Sequence, residues 1–280
     1  MIEGLVKGNM LINRVITALF LAPLFVFAMY NLNRPYFSLL IAIIVLIAAW
    51  EWASFVKIKS NKNKLFYVLI IFILMALSFK LDVNYQINFL FLIIFWWLIN
   101  LIWILKYPKL QSFWYKNQLL RGLNGILVIV PTWLSFILIR ELLGAGWLLF
   151  LLFLIWGADT GAYFVGKNFG KRKLLKKVSP GKTVEGVIGA IAISIVISIL
   201  ALYSNNISYD KWFLYIVLTF LVVVTSVVGD LFESIFKRAT NMKDSGSILP
   251  GHGGILDRID SLTSASPVFL IGCLFIENLL

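Results

Sequence analysis

"YFSLLIAIIVLIAAWEWASFVKIKSNKNK", residues 36–64, decides the class of the whole chain. The run 36–56 holds a single charged side chain, Glu51, and as a helix it is long enough to cross about 30 Å of hydrocarbon. Four lysines then follow between 57 and 64. An apolar run that ends in a cluster of cations reads as a membrane span emerging on the cytoplasmic side. Trp50-Glu51-Trp52 at that end reads as an interfacial belt whose carboxylate snorkels to water.

The pattern recurs along all 280 residues. Apolar runs occupy 15–32, 36–56, 65–79, 87–105, 123–139, 142–158, 187–203 and 212–229, with a shorter one at 267–280. They predict an all-α, polytopic transmembrane protein of about nine spans. Composition agrees: 14% of residues are charged and 61% hydrophobic, where soluble domains carry about a quarter charged, and the mean hydropathy is +0.93. With the N-terminus in the cytoplasm, 21 of the 25 Lys and Arg fall inside, and only Arg34, Lys80, Arg140 and Lys211 fall outside. One missed or invented span would scramble this alternation, so the C-terminus is expected outside.

The formal charge of +12 follows from this topology and from anionic headgroups, and it gives no ground for a nucleic-acid partner. Cys273, the only cysteine, can build neither a disulfide nor a thiolate metal site within the chain. The first run lacks a small-residue cleavage site and is expected to stay as an anchor. No low-complexity linker or internal repeat is visible. Phe95-Trp96-Trp97 and Trp103 read as lipid-facing or belt aromatics.

Polar residues divide the chain near Trp156, into an anchoring and lipid-access region (1–155) and a catalytic region with two polar inside loops (156–280). The first loop, about 159–185, sets seven cations against Asp159 and Glu185. Its "GKT" at 181–183 resembles the end of a P-loop, but Lys176 stands where that motif needs glycine, and no strand precedes it. Ser179 is the expected N-cap, with Pro180 opening the seventh span. The helix amides would then sit beside Lys182 and Thr183, a setting that favours phosphate, although topology alone would also place lysines here. Asp159, at the end of the sixth span, is functional by default because an acid at that depth is costly.

The second loop, about 230–266, nearly balances acids and bases. If the eighth helix continues past its apolar run, Asp230, Glu233, Ser234 and Lys237 share one face, and Leu231, Phe232, Ile235 and Phe236 the other. Asp257 and Asp260 repeat the three-residue spacing. Mg²⁺ is usually held by one or two carboxylates plus substrate phosphates, which suits this pattern. Between the acids lies "PGHGG", whose glycines let backbone amides approach an oxyanion. His252, Arg258, Lys243 and the pair Lys237-Arg238 supply countercharge.

These residues resemble the phosphatidate cytidylyltransferases, also called CDP-diacylglycerol synthases. The resemblance rests on Ser234, Lys237, Arg238, Lys243, Asp244, Gly246, Pro250, His252, Gly253, Gly254, Asp257, Arg258 and Asp260, and on the upstream "WGADTGAYFVGKNFGKRKL" and "SPGKTVEG", covering about 156–266. It implies transfer of a cytidylyl group from CTP to phosphatidate, with Mg²⁺, and K⁺ beside it, in a homodimer of the bacterial inner membrane. On that reading Asp230, Asp257 and Asp260 bind metal, with Glu233 and Asp244 as further candidates. Lys237, Arg238, Lys243, His252 and Arg258 hold phosphates. Ser234, Gly253, Gly254, Asp159, Lys171, Ser179, Lys182 and Thr183 complete the substrate contacts. Lipid tails would enter between spans, and CTP from the cytoplasm. Two rivals share some of these features. A CTP-dependent kinase of a polyprenol-type lipid would need a base for its hydroxyl nucleophile, and an ion-coupled transporter would need acids at mid-span, where this chain has none.

Overall fold

The structure is a computed structural model that describes residues 22–109, 117–248 and 253–280. Eight of its helices are long and apolar enough to cross a membrane. They are α2 (Arg34–Phe55), α3 (Asn61–Lys80), α4 (Val83–Leu105), α5 (Gln118–Leu138, extended by a π turn Ile139–Leu143), α6 (Ala145–Phe169), α7 (Val184–Ser204), α8 (Tyr209–Ala239) and α9 (Leu256–Ile276). The shorter helix Ala22–Asn31, α1, precedes them; the rest of the first apolar run lies outside the described residues. Between α6 and α7 the strands β1 (Lys173–Leu175) and β2 (Ser179–Thr183) pair antiparallel, with Lys173 opposite Thr183 and Leu175 opposite Ser179. The all-α expectation therefore holds apart from one small hairpin.

Helix boundaries move several polar residues. The last helix begins at Leu256, eleven residues before the apolar run at 267–280, and ends at Ile276. Hydropathy misses its first half because Ser261, Thr263, Ser264 and Ser266 dilute the signal, yet all four are buried. Ser264 Oγ donates to Thr225 O of α8 at 2.6 Å and Thr263 Oγ1 to Asp260 O at 2.6 Å. Hydroxyls that bond carbonyls across or along helices can line a helix interface inside a bilayer. α6 starts at Ala145, after Gly144 turns the chain at φ +99°, and continues to Phe169. Asp159 is therefore within a helix rather than at its end, and the division drawn near Trp156 falls inside α6. Ser179 and Pro180 do not open a helix: they belong to β2, and Thr183 is the N-cap of α7, its Oγ1 accepting from Gly186 N at 3.1 Å.

α9 sits at the centre, with 78% of its apolar window buried, and α3 lies at the rim with 17%. Small residues set the closest helix contacts, as expected where lipid removes the hydrophobic drive between helices. A Cβ on Gly161 of α6 would meet Gly189 O of α7 at 2.6 Å, and one on Gly229 of α8 would meet Asp260 O and Ser264 Oγ of α9. Hydrogen bonds cross the bundle at Trp133 Nε1 to Ser38 O (3.1 Å), Ser194 Oγ to Leu154 O (3.1 Å) and Thr219 Oγ1 to Ser198 Oγ (3.0 Å). Trp97 is buried with 2% exposure, against the lipid-facing reading of its run, whereas Phe95 is 62% exposed.

The helix ends sort into two sets. Arg34, Arg140 and Lys211 lie at one end of the bundle, where Arg34 pairs with Glu141 (2.6 Å), Arg140 Nε donates to Met29 O (2.7 Å) and Lys211 pairs with Glu277 (2.6 Å). The C-terminal ends of α2, α6 and α8 and the N-terminal ends of α3, α5, α7 and α9 share the other, which also holds the hairpin and most of the cations. The close approach at Gly229 gives a prediction. Gly229→Val should overpack the α8–α9 contact at a cost of about 1–3 kcal/mol and lower the thermal midpoint in detergent. Gly181→Ala, whose Cβ would meet nothing within 4 Å, should leave that midpoint unchanged.

Candidate active site

α8 continues to Ala239, so its polar stripe forms as the spacing requires. On the opposite face Phe232 and Phe236 pack against aromatics of α2 and α4, with ring centroids 5.0 Å apart for Trp52–Phe236 and 5.3 Å for Trp97–Phe232. This aromatic wedge fixes the rotation of α8 and turns the stripe toward α9. There Lys237 Nζ lies 2.8 Å from Asp257 Oδ1 and 3.5 Å from Glu233 Oε1. Farther along, Lys182 Nζ from β2 lies 2.5 Å from Asp230 Oδ2, and Ser234 Oγ donates to Asp230 Oδ1 at 3.3 Å. Asp260 has Asp230, Glu233, Lys237 and Lys182 as polar and charged neighbours, and Asp159 has Lys182, Asp230 and Arg258. The acids from the two separate stretches do converge. A cavity of about 230 Å³ opens between α6, α7 and α8, with Asp159, Lys182, Thr183, Asp230 and Ser261 as its polar lining and Ala158, Ala162, Val187 and Ala190 along its apolar wall.

The chain between α8 and α9 is tied down from both sides. Asp257, in the first turn of α9, accepts through Oδ2 from Ser245 N (2.9 Å), Ser245 Oγ (3.0 Å) and Gly254 N (2.9 Å). Gly253 holds φ +83°, and a Cβ there would also meet Asp257 Oδ2 at 2.8 Å, so only glycine suits the position. Glu51 of α2 is the residue that sequence reasoning misplaced. It does not snorkel: it is 3% exposed and accepts from Leu256 N (2.8 Å), Ile255 N (3.1 Å) and Ser245 Oγ (3.0 Å). Depth was the available signal, because a carboxylate several residues inside the end of a span needs a partner.

The other expected site residues are more scattered. Lys243 and Asp244 are exposed on the connecting chain, and Arg258 is exposed on α9. Arg238 Nε donates to Val178 O at 3.1 Å and so tethers the hairpin. The hairpin's entry is held by Glu185, whose Oε2 accepts from Lys171 N (3.0 Å) and Arg172 N (3.1 Å). Ser179 is partly buried in β2 and Thr183 is buried as the α7 cap. His252 lies outside the described residues.

The model of the cytidylyltransferase family matches residues 12–276. The chain belongs to that family. It is 40% identical to a phosphatidate cytidylyltransferase of Pseudomonas aeruginosa over 261 residues, covering 93% of this chain and 96% of the relative. A phosphatidate cytidylyltransferase of Haemophilus influenzae is 36% identical over 280 residues, covering 93% and 97%. One from Staphylococcus haemolyticus is 43% identical over a shorter stretch of 128 residues, 46% and 49% of the two chains. The resemblance drawn from the motifs between 156 and 266 thus extends over most of the sequence.

The charge balance of this family member bears on a metal. Asp159, Asp230, Glu233, Asp257 and Asp260 form one electrostatic network with Lys182, Lys237 and Arg258, five acids against three bases among the described residues. The Glu233 carboxylate is buried, with Lys237 Nζ 3.5 Å from Oε1 and the acids Asp257 and Asp260 as further neighbours. Buried acids in such surplus call for added positive charge, and a divalent cation fits. No three or more His, Cys, Asp or Glu side chains among the described residues are arranged to hold a metal by themselves; Mg²⁺ is usually held by one or two carboxylates plus substrate phosphates. Asp230, Asp257 and Asp260, with Glu233 beside them, are the carboxylates that could hold it, and each already meets protein donors: Asp230 from Lys182 and Ser234, Asp257 from Lys237, Ser245 and Gly254, and Asp260 from Ser261.

The two lysines of the cluster should differ in weight. Lys237→Met strips the counter-charge from buried Glu233 and Asp257 and should destabilise the protein by about 3–5 kcal/mol. Lys182→Met breaks a pair whose side chains are 27% and 26% exposed and should cost about 1 kcal/mol or less. Thermal unfolding of both variants in the same detergent measures the difference.

Proposed function

We propose that this protein transfers the cytidylyl group from CTP to phosphatidate, giving CDP-diacylglycerol and pyrophosphate. The observation that carries the proposal is the acid-rich cluster with its lysines, set beside a small cavity at the cation-rich end of the bundle. Family membership and the names of the bacterial relatives support it. A phosphate oxygen of the lipid attacks the α-phosphorus of CTP, a P–O bond forms there, and the bond to the β-phosphate breaks to release pyrophosphate. A phosphate monoester, with its second pKa near about 6, is largely dianionic at neutral pH. It therefore needs no general base, in keeping with a chain that has one histidine.

The work left to the protein is bringing two polyanions together. Asp230, Asp257 and Asp260, with Glu233, would hold Mg²⁺, which when bound neutralises charge on the triphosphate. Lys182 lines the cavity beside Asp230, where its ammonium would offset charge on a substrate phosphate. Lys243 and Arg258, both exposed, and Arg258 near enough to bear on Asp159, are suited to hold phosphates of the nucleotide. The apolar wall of the cavity would suit the lipid-borne substrate.

The rest of the reading is topological. The proposed topology has nine spans, eight of them among the described residues, with the N-terminus inside, this end of the bundle at the cytoplasm where CTP is found, and the C-terminus outside, in the inner membrane of a bacterium. The cation distribution supports that orientation. A homodimer belongs to the reading through the family resemblance alone.

Purified protein with phosphatidate and each of the four nucleoside triphosphates, with and without Mg²⁺ and K⁺, tests the proposal. Labelled CDP-diacylglycerol should form from CTP with Mg²⁺; transfer of the γ-phosphate instead would make the protein a kinase. Asp230→Asn and Asp260→Asn should each lower Mg²⁺-dependent turnover by about 100-fold or more. Lys80→Ala, at the opposite end of the bundle, should not change it.

A further inference from the structure

We infer that Glu51 is a positioning residue, through which the N-terminal half of the chain holds Ser245 and the opening turn of α9 in the geometry that CTP needs. The inference rests on the reaction proposed above and concerns a residue outside all of that region's motifs.

Glu51 comes from α2, near the end of that helix, and its carboxylate joins the two flanks of the chain between α8 and α9. Ser245 Oγ, on the first flank, lies 3.0 Å from Glu51 Oε2. Ile255 N and Leu256 N, on the second, donate to Oε1 and Oε2 at 3.1 and 2.8 Å. These amides open α9 and have no acceptor within the helix, and the N-terminal end of a helix favours a negative charge. Ser245 Oγ is also 3.0 Å from Asp257 Oδ2. A hydroxyl has one proton, so it serves one carboxylate at a time while Ser245 N stays on Asp257. The ties run from Glu51 through Ser245 and Asp257 to Lys237 and Glu233.

The packing has been shaped around this carboxylate. A Cβ on Gly246 or on Gly254 would collide with it, so both glycines let the backbone close over Glu51. The end of α2 is itself held: Trp52 Nε1 donates to Arg121 O at 3.0 Å and Arg121 Nη1 to Phe55 O at 3.2 Å. A rigid anchor with three donors converging on it is more than a span needs to stay in a membrane. It sets where Asp244, Asp257 and Arg258 stand relative to Asp230.

Glu51→Gln keeps the size of the side chain but puts an amide group against backbone N–H donors. Expected are faster hydrogen exchange, by about tenfold or more, in peptides covering Ser245 and Gly254–Leu256, and a KM for CTP raised about tenfold or more. The KM for phosphatidate should stay within about threefold and the thermal midpoint within a few degrees. Glu51→Asp should recover part of the loss. Ser245→Ala, a milder change, should move exchange and the CTP KM in the same direction by about threefold. Unchanged exchange in Glu51→Gln overturns the inference, as does faster exchange with unaltered kinetics. So does a loss that affects both substrates equally and follows a lowered midpoint, with Ser245→Ala behaving as wild type. Exchange is measured without substrate, so a wild-type protein that failed to make CDP-diacylglycerol would bring down the proposed reaction while the tie at Glu51 was still decided.

Discussion

The organisation of this protein depends on balancing a surplus of carboxylates held at the margin of a hydrocarbon environment. Asp230 and Glu233 on α8 and Asp257 and Asp260 on α9 are brought together because Gly229 lets the two helices approach until a Cβ would strike the Asp260 carbonyl. Taken out of water, such groups repel one another and cost several kcal/mol each unless they are countered. Lys237 and Lys182 counter part of the charge. What remains, five acids against three bases among the described residues, is negative charge that a bound cation would offset.

The two halves of the chain share this task. The motif-bearing helices supply the charges, but their rotation and reach are fixed by α2 and α4. Trp52, Trp96 and Trp97 hold the phenylalanine face of α8, with Trp96–Phe232 at 5.5 Å. One buried core cluster runs through residues of both regions, from Met29 to Ile276, so the N-terminal helices are part of the site's framework as well as its anchor.

Much of this was legible in the sequence, and the exceptions have physical causes. Apolar runs located the spans, and the three-residue spacing of acids placed Asp230 with Glu233 and Asp257 with Asp260 because helix geometry leaves little choice. The run at 267–280 failed as a boundary because serine and threonine are polar by composition yet apolar in effect when their hydroxyls bond carbonyls. Ser179-Pro180 looked like a helix start, but the pairing of β1 with β2 outweighs a local capping preference. Glu51 was misread because its partners lie about two hundred residues away, beyond any local pattern. Asp257 was legible as an important acid, but its ties to Ser245 and Gly254 were not, because they depend on the fold of the chain before α9.

The link from residue 51 to residues 245–256 also bears on how the molecule is made. Contacts of that sequence separation form late and slowly, and here one partner is the opening turn of the final helix. Until α9 has left the ribosome and entered the bilayer, Glu51 faces no amide and Asp230 no Asp260. The enzyme is thus assembled around a side chain laid down early in synthesis and left waiting, and no nascent chain short of its last helix carries a finished centre.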